Sequence, residues 1–365
     1  MSKLRVGIIG CGGIANQKHL PALKESSDLA DIVACCDIRI ERAQKAAREY
    51  GTPDVGVYKD YRELLEDESI DVVHVCTPNV THAPITVDAF EAGKNVLCEK
   101  PMSHSAAEAQ KMMDAWSKSG KHFTIGYQNR FRREIQTLYR ACRAGELGDI
   151  YFAKAHALRR RAVPTWGVFQ DKAQQGGGPL IDIGTHALDL ALWMMNNYEP
   201  DSVVGSVFYK MADKVEGNLF GPWDPSTFEV EDSAFGLIKM KNGATIFLEA
   251  SWALNILEER EAATTLCGTE AGAEIKGGMT EKPQLIFNKN YYADLVNIYP
   301  VADGGGVAYF SGDTSGDPGA IETRQWLKSI INDTDALVKP QEAFVVTQVL
   351  DAIYKSHEKD TLVKL

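Results

Sequence analysis

Short apolar runs alternate with helical patterns over the first third of the chain. Five runs rich in β-branched and small apolar residues lie at residues 4–9, 32–36, 72–76, 95–98 and 122–125. Helical patterns separate them, among others at residues 40–50, 81–92 and 106–119. Strands that alternate with helices predict right-handed crossover connections and a parallel sheet. Because the strands are apolar throughout rather than at every second position, we expect helices on both faces of that sheet.

The pattern changes after Gly126, where strand-like runs replace the alternation. A helix is predicted over residues 134–144, and strand-like runs follow at 150–158, 202–209, 233–240, 245–252 and 261–266. The segment Lys241-Asn242-Gly243-Ala244 separates two of these runs and indicates a hairpin turn. Further helices are predicted at 182–195, 320–331 and 342–357. We predict an α/β nucleotide-binding domain over residues 1–126 and an α+β domain over 127–365, with the final helices free to pack back on the first domain.

Length and charge narrow the class of protein. With 365 residues the chain is long enough for two domains, and 44% hydrophobic with 24% charged residues is the balance of a globular chain. The formal net charge of -11 would repel phosphate backbones and anionic lipid, so we expect neither nucleic acid nor a membrane surface as a partner. No apolar run reaches the ~18 residues needed to cross a bilayer, and we expect no signal peptide.

The cysteines point to a reducing compartment. They are Cys11, Cys35, Cys36, Cys76, Cys98, Cys142 and Cys267. Their number is odd, no Cys-x-x-Cys pair occurs, and several lie in apolar runs, where a free cysteine acts as a small hydrophobic residue. We therefore expect a cytoplasmic protein without a disulfide framework or a zinc site. Because no cluster of ligands accompanies the histidines, we predict no required metal.

A glycine-rich loop follows the first predicted strand. The segment Gly10-Cys11-Gly12-Gly13-Ile14-Ala15 matches G-x-G-x-x-G/A and opens a helix. Gly10 permits a tight turn, Gly12 lets the backbone approach a pyrophosphate, and the helix N-terminus faces the negative charge. The alternative interpretation is a purely structural turn between a strand and a helix.

Asp37 supports the interpretation as a cofactor loop. It ends the second predicted strand, where a carboxylate can bind a ribose 2′-hydroxyl. Because a carboxylate repels a 2′-phosphate, NAD is favoured over NADP. Arg39 weakens that preference, since an arginine just past the strand could hold a phosphate; its alternative is a solvated residue at the helix start.

Five further motifs follow the glycine loop in order. They are Thr77-Pro78-Asn79-Val80-Thr81-His82, Glu99-Lys100-Pro101, Gly126-Tyr127-Gln128-Asn129-Arg130-Phe131, Gly176-Gly177-Gly178-Pro179-Leu180-Ile181-Asp182-Ile183-Gly184-Thr185-His186 and Ala352-Ile353-Tyr354-Lys355-Ser356. This set, over nearly the whole chain, resembles the Gfo/Idh/MocA family of NAD(P)-dependent oxidoreductases. The resemblance implies an α/β Rossmann domain and an α+β domain with a large open-faced, mostly antiparallel sheet. It also implies that Lys100, Asp182 and His186 are catalytic.

The motifs and the resemblance together assign further residues to the two ligands. Residues expected at the cofactor are Gly10, Gly12, Gly13, Ile14, Asp37, Arg39, Thr77, Pro78, Asn79, His82, Glu99, Lys100 and Gln128. Residues expected at the substrate are Lys100, Tyr127, Arg130, Arg159, Trp166, Asp182 and His186. For His82, a position on the surface or packing in the core is the alternative.

Oxidation of an alcohol requires a catalytic set of this kind. A hydroxyl proton must leave as hydride passes to the nicotinamide, which requires a base and a group that polarises the oxygen. Asp182 and His186 are four residues apart, so on a helix they share a face, and imidazole is suited to taking the proton. Lys100 offers a cation beside the developing alkoxide. Taken singly, His186 could be a core histidine, Lys100 a solvated lysine and Asp182 a helix cap.

A basic segment bears on the substrate. Arg159-Arg160-Arg161-Ala162-Val163-Pro164-Thr165-Trp166-Gly167 resembles the corresponding segment of family members that oxidise glycosides, such as levoglucosan and glucoside 3-dehydrogenases; a solvated face is the alternative. We expect oxidation of a sugar, glycoside or polyol, with C3 of a pyranoside as the specific candidate. Alternatives are a glycoside oxidase, dismutase or redox-assisted glycosidase that keeps NAD tightly bound, and an NAD-sensing regulatory protein. Because an open sheet face needs covering, we expect a homodimer or homotetramer.

Overall fold

The computed structural model describes residues 3–278, 282–300 and 316–365 of the chain. Described residues up to 131 form one compact unit together with 316–344, and those from 132 to 300 form a second together with 345–365. The functional domains 1–126 and 127–365 stay a prediction.

The first unit is built on a six-stranded parallel sheet. Its strands are β1 (Leu4–Ile9), β2 (Ala30–Cys36), β3 (Gly56–Tyr58), β4 (Val72–Val75), β5 (Asn95–Cys98) and β6 (Phe123–Ile125). They lie in the order β3-β2-β1-β4-β5-β6, which is that of a dinucleotide-binding Rossmann fold. The predicted parallel sheet is confirmed. The edge strand β3 is absent from the sequence prediction because it is too short to form a recognisable apolar run.

Helices connect these strands. The glycine loop after β1 leads into a π-helical turn, Ala15–His19, and then α1 (Leu20–Glu25). The others are α2 (Ile40–Tyr50), α3 (Tyr61–Leu65), α4 (Asn79–Glu91) and α5 (Ala106–Ser119). α5 begins where the Ser105 hydroxyl accepts the N–H of Glu108 and ends at Gly120 in the left-handed conformation. Both ends of this helix are therefore encoded locally.

The described part of the second unit contains a nine-stranded sheet. Its strands are β7 (Ile150–Leu158), β8 (Pro200–Phe208), β9 (Ser233–Met240), β10 (Thr245–Ser251), β11 (Arg260–Gly268), β12 (Ala271–Lys276), β13 (Gln284–Tyr291), β14 (Asp294–Ile298) and β15 (Val363–Lys364). The order is β14-β13-β12-β11-β7-β10-β9-β8-β15, and every neighbouring pair is antiparallel except β7 with β10. The predicted mostly antiparallel sheet is confirmed.

Helices cover one face of this sheet. They are α6 (Arg133–Arg143), a second π-helical turn (Leu180–Gly184) and α8 (Thr185–Met195); the short helix α7 (Lys172–Gln175) precedes that turn in the chain. α8 is almost wholly buried, because the sheet lies on one side and α6 on the other, where Tyr139 stacks on Trp193. On the opposite face, alternate residues of β8 and β9 such as Val204, Phe208 and Leu237 are exposed. In the part of the chain that the structure describes, that face of the sheet is open.

Two long helices follow in the C-terminal part of the chain. α9 (Pro318–Ile331) belongs to the first unit, where Trp326 and Leu327 join the core of the parallel sheet. In the second unit, Ile353 of α10 (Pro340–Lys359) packs against Gly205 and Gly236. None of the described helices is long and apolar enough to cross a membrane.

Candidate cofactor and substrate sites

The carboxyl ends of the parallel strands meet at one edge of the first sheet. Ile9 of β1 pairs with Cys36 of β2 and with Val75 of β4. Val75 pairs in turn with Cys98 of β5, and Cys98 with Ile125 of β6. The residues that follow these strands are therefore neighbours, namely Gly10, Asp37, Thr77, Glu99, Lys100 and Gly126. In open α/β sheets this edge binds the nucleotide, at the point where the strand order reverses.

The glycines of the loop have different reasons to be glycine. Gly10 has a φ of 92°, and a Cβ there would lie 2.6 Å from the carbonyl oxygen of Cys76. The backbone conformation at this position and its close approach to Cys76 therefore require a glycine. A Cβ on Gly12 would have its nearest neighbour 3.9 Å away, at Arg42, and one on Gly13 would meet nothing within 4 Å. The open space at Gly12 and Gly13, beside a helix N-terminus, fits the approach of a pyrophosphate.

Asp37 ties the glycine loop to the end of β2. Its Oδ2 accepts the backbone N–H of Cys11 at 2.9 Å, and its Oδ1 accepts the backbone N–H of Arg39 at 2.8 Å. The Asp37 side chain is buried, while Arg39 is exposed. A carboxylate oxygen has two lone pairs, so each oxygen can still accept a ribose hydroxyl. Asp37 therefore fits a dinucleotide without a 2′-phosphate.

A buried histidine joins the loops after β4 and β5. Nδ1 of His82 lies 2.8 Å from the carbonyl oxygen of Pro101, and Nε2 lies 2.9 Å from that of Thr77. Burial lowers the pKa of His82, although the two carbonyl oxygens oppose this shift. Pro78 precedes α4 and Asn79 begins it, so these predicted cofactor residues lie at a helix N-terminus. His82 holds the two loops together, and its direct contact with the cofactor stays a prediction.

Glu99 is the centre of a buried polar network beside Lys100. Its Oε1 lies 2.7 Å from Lys18 Nζ and 2.7 Å from His19 Nε2, and its Oε2 accepts the backbone N–H of Lys100 at 3.1 Å. Burial alone would raise the pKa of Glu99, but Lys18 and His19 hold it well below its ordinary value. The carboxylate is directed toward protein neighbours. This favours a role in holding Lys100 over the predicted contact with the cofactor.

Two residues of this network, Lys18 and Glu322, carry no motif in the sequence. Lys18 also lies 2.8 Å from Glu322 of α9, and both side chains are buried. Burial raises the pKa of Glu322 to about 7, although Lys18 opposes this shift. A Cβ on Gly126 would come within 3.0 Å of the Glu99 carboxylate, so this glycine leaves room for the ion pair. No local signal in the sequence connects a lysine after the glycine loop with a glutamate near the C-terminus.

The motif at residues 126–131 is largely buried in the first unit. Tyr127 and Arg130 are inaccessible, and Gln128 begins a short 3-10 helix, Gln128–Phe131. Nη1 of Arg130 donates a hydrogen bond of 2.5 Å to the Glu342 carboxylate. This pairing favours a structural role for Arg130 over the predicted substrate contact. Ligand contacts of Tyr127 and Gln128 stay predictions.

Asp182 and His186 lie on one helical segment of the second unit. Asp182 is in the π-helical turn Leu180–Gly184, and His186 is in the first turn of α8. The sequence predicts a regular helix here, because no residue preference marks a π turn, and such turns are frequent at functional sites. The indole Nε1 of Trp252 donates to Asp182 Oδ2 at 3.1 Å. The segment therefore presents a carboxylate of fixed orientation and an imidazole.

Arg159 and Trp166 lie in different environments. Arg159 is buried, and its Nε donates to the Glu261 carboxylate at 2.7 Å. Burial opposes its charge, but Glu261 raises the pKa of Arg159. This ion pair favours a structural role over the predicted substrate contact. Trp166 is 52% exposed. The rings of Phe220 and Phe169 meet its ring edge-on, with centroids 4.7 and 5.9 Å away. This arrangement leaves indole surface available for stacking.

Aromatic side chains connect Trp166 with Asp182. The ring of Phe169 lies 6.4 Å from that of Trp252, also edge-on, and Trp252 donates to Asp182. A chain of ring contacts therefore joins the exposed indole of Trp166 to the buried indole of Trp252, which orients the Asp182 carboxylate. The sequence does not predict Phe169, Phe220 and Trp252 at this place, because single aromatic residues in loops and strand ends carry no motif.

The candidate residues are divided between the two units. The glycine loop, Asp37, Glu99 and Lys100 belong to the first unit, and Arg159, Trp166, Asp182 and His186 belong to the second.

In residues 3–278, 282–300 and 316–365, no group of three or more His, Cys, Asp or Glu side chains is arranged to hold a metal ion.

Two family models match the chain. Residues 4–127 match the model described as "Oxidoreductase family, NAD-binding Rossmann fold", and residues 135–274 match the GFO/IDH/MocA C-terminal domain. Among curated proteins, the D-glucoside 3-dehydrogenase of Escherichia coli (strain K12) is 35% identical over 365 residues, which cover 100% of this chain and 98% of that protein.

Solved structures share the fold. A levoglucosan dehydrogenase in complex with NADH and levoglucosan is 22% identical, with a TM-score of 0.81 over 100% of this chain and 99% of that one. An aldose-aldose oxidoreductase from Caulobacter crescentus, complexed with glycerol, is 22% identical, with a TM-score of 0.80 over 100% of both chains. At this identity the similarity establishes the two-sheet architecture.

Proposed function

This chain belongs to the Gfo/Idh/MocA family of NAD-binding oxidoreductases, and we propose that it oxidises a hydroxyl carbon of a glycoside, with C3 of a pyranoside as the reacting position. The observation that carries the proposal is the 35% identity, over the full length of the chain, to a D-glucoside 3-dehydrogenase. The exposed indole of Trp166 supports it, because a pyranose ring has apolar C–H faces that stack on aromatic rings.

The cofactor proposed for this reaction is NAD. Open space at Gly12 and Gly13 accommodates the pyrophosphate, and Asp37 at the end of β2 is suited to a ribose with free hydroxyls. When bound, NAD supplies the acceptor for the hydride that leaves the substrate carbon. NADP is disfavoured because its 2′-phosphate would meet the Asp37 carboxylate; Arg39 is exposed and available to offset part of that repulsion.

Proton transfer and binding of the substrate are assigned to side chains of the protein. His186 takes the proton of the reacting hydroxyl, and Lys100 stabilises the negative charge that develops on its oxygen. Asp182, oriented by Trp252, binds a neighbouring hydroxyl. The support is that all three residues stand in the family's motifs, that Glu99 accepts the backbone N–H of Lys100, and that the Trp252 indole donates to Asp182.

The assembly and compartment are part of the same proposal. We expect a homodimer or homotetramer in which a second copy covers the open face of the nine-stranded sheet, where Val204, Phe208 and Leu237 are exposed. Sedimentation as a monomer would contradict this. We expect the protein to work in the cytoplasm, because its seven cysteines are all free and five of them are buried.

The test uses methyl glucosides that carry deuterium at C2, C3 or C4. Their oxidation is measured by NADH absorbance, and the mass of the reduced cofactor shows whether it has taken up deuterium. We expect slower turnover and deuterated NADH from the C3-labelled compound alone. Label transferred from another carbon would disprove the assignment of C3. Reduction of NAD that stays bound to the protein would favour the alternative without net redox.

Variants test the catalytic residues. We expect Lys100→Ala and His186→Ala to lose at least about 100-fold in kcat with NAD binding retained, because each removes an acid–base or electrostatic contribution. Lys118→Ala, an exposed lysine of α5, is the matched control. NAD binding without turnover of any sugar would reject the dehydrogenase and favour a regulatory NAD sensor.

A further inference from the structure

A buried carboxylate lies at the start of the segment that carries Asp182. Glu231 is almost inaccessible, and its Oε2 accepts the backbone N–H of Gly178 at 2.8 Å. Its Oε1 accepts the backbone N–H of Leu180 at 3.2 Å. N–H groups at the start of a helical segment have no hydrogen-bond partner within that segment. The carboxylate of Glu231, which lies two residues before β9, accepts them and so caps the segment.

Tyr354 of α10 holds this carboxylate in place. Its hydroxyl donates to Glu231 Oε1 at 2.7 Å, within the second unit. Two glycines make room for the pair: a Cβ on Gly177 would collide with the Tyr354 hydroxyl, and a Cβ on Gly178 would collide with the backbone oxygen of Glu231. Three donors surround this one carboxyl group; burial raises the pKa of Glu231, and the hydrogen bonds from Gly178, Tyr354 and Leu180 oppose that shift.

The residue after Glu231 is linked to Asp182 through Trp252. The backbone oxygen of Asp232 accepts the backbone N–H of Trp252 at 3.1 Å, and the Trp252 indole donates to Asp182. Residues 231 and 232 therefore fix both the beginning of the helical segment and the side chain that orients its carboxylate.

We propose that Glu231, held by Tyr354, is a positioning residue that sets where Asp182 and His186 stand in the active site. The inference rests on the proposed function of those two residues. Without the carboxylate, the first turn of the segment loses its cap, and the π-helical turn Leu180–Gly184 can relax to a different geometry. Displacement of reacting groups by a fraction of an ångström to 1 Å lowers the rate far more than it lowers binding.

Glu231→Gln is the direct test. The amide keeps the size of the side chain but replaces an acceptor by an N–H group that faces backbone N–H donors. We expect kcat to fall by about tenfold to a hundredfold, with KM for NAD unchanged. Glu229→Gln changes an exposed carboxylate two residues earlier and is expected to behave as wild type.

Tyr354→Phe is a second, milder test that keeps the aromatic packing. We expect a smaller fall in kcat in the same direction. In the double variant the loss is expected to equal that of Glu231→Gln alone, because both changes act through one carboxylate. Tyr354→Phe carries the test if Glu231→Gln does not fold.

A purely structural role predicts a different result. It would lower the melting temperature but leave kcat per NAD-binding site and the pH profile of kcat/KM unchanged, whereas misplacement of Asp182 and His186 shifts that profile. A wild-type kcat and pH profile in Glu231→Gln, with Asp182→Asn inactive, would overturn the inference and leave the proposed function standing. Full activity in Asp182→Asn would overturn the proposed function and with it the role of Glu231.

Discussion

Lys18 Nζ lies 2.7 Å from Glu99 Oε1, and both side chains are buried in the first unit. The same ammonium lies 2.8 Å from Glu322, so one cation serves two carboxylates. His19 contacts Glu99 as well, and its Nδ1 lies 3.0 Å from Nδ1 of His74. Because burial lowers the pKa of both histidines, Lys18 carries the positive charge of this network.

Loss of that cation tests the network. Lys18→Met keeps the length of the side chain and leaves Glu99 buried without its ion pair, so we expect the free energy of unfolding to fall by about 3–5 kcal/mol. Denaturant titration at neutral pH measures it. As a control, Lys45→Met removes a surface lysine whose partner Glu49 lies 3.9 Å away. We expect the free energy of unfolding to fall by less than about 0.5 kcal/mol in this variant. Equal losses of stability in the two variants would show that the buried ion pair stabilises the fold no more than the surface pair does.

Glu322 gives this network a pH dependence of definite sign. Burial raises its pKa to about 7 and the negative charges of Glu99 and Asp317 raise it too, while Lys18 opposes them. A carboxyl group whose pKa is higher in the folded state stabilises the fold when it is protonated. Its contribution is therefore fully present below the unfolded pKa of about 4.5 and is lost as the pH rises to about 7.

Glu322→Gln should remove that dependence. We expect the difference between the free energies of unfolding, wild type minus variant, to decrease by about 2.5 kcal/mol between pH 5 and pH 8. Parallel denaturant titrations across this range measure the difference, and Glu25→Gln, at the exposed end of α1, is the control. A difference that is constant or rises with pH would contradict the raised pKa of Glu322.

The two kinds of glycine in the cofactor loop should respond differently to alanine. Gly10→Ala places a Cβ against Cys76 at a φ of 92°, so we expect it to cost about 1–3 kcal/mol of stability. Gly12→Ala fills open space, so we expect stability within about 0.5 kcal/mol of wild type but NAD affinity at least about tenfold weaker. Unfolding and NAD titration together measure this. Unchanged NAD affinity in Gly12→Ala would place the pyrophosphate elsewhere.

Asp37 should determine the choice between NAD and NADP. Asp37→Ser keeps a hydrogen-bonding group but removes the charge that repels a 2′-phosphate, and the exposed Arg39 remains. We expect kcat/KM with NAD to fall by about tenfold or more, and the ratio of NAD to NADP efficiency to fall further. Asp54→Ser, on an exposed turn, serves as the control. An unchanged ratio would mean that another residue selects the cofactor.

Local signals explain why the sequence predicted much of the fold and only part of the site. The apolar runs of β1 and β4 and the turn at Gly10 are encoded by neighbouring residues. By contrast, the contact between Lys18 and Glu322 joins residues far apart in the chain, and no periodicity reveals it. The motif that contains Arg130 is evident in the sequence, but its burial against Glu342 depends on a helix more than 200 residues later. Motifs identify which residues matter, and packing decides what each of them contacts.

Trp166 should affect the glycoside and leave the cofactor unaffected. Trp166→Ala removes the exposed indole surface, and we expect KM for a methyl glucoside to rise by about tenfold, the upper end of what one aromatic contact contributes. Trp166→Phe keeps an aromatic face and should recover most of the loss. Tyr292→Ala removes another exposed aromatic ring, in the turn between β13 and β14, and should have no effect. Because Trp166 is half exposed and Phe169 still contacts Trp252 in the variants, NAD affinity and melting temperature should stay unchanged. A tenfold change in NAD affinity, or an unchanged KM in Trp166→Ala, would remove the indole from the substrate site and leave the aromatic cluster as packing alone.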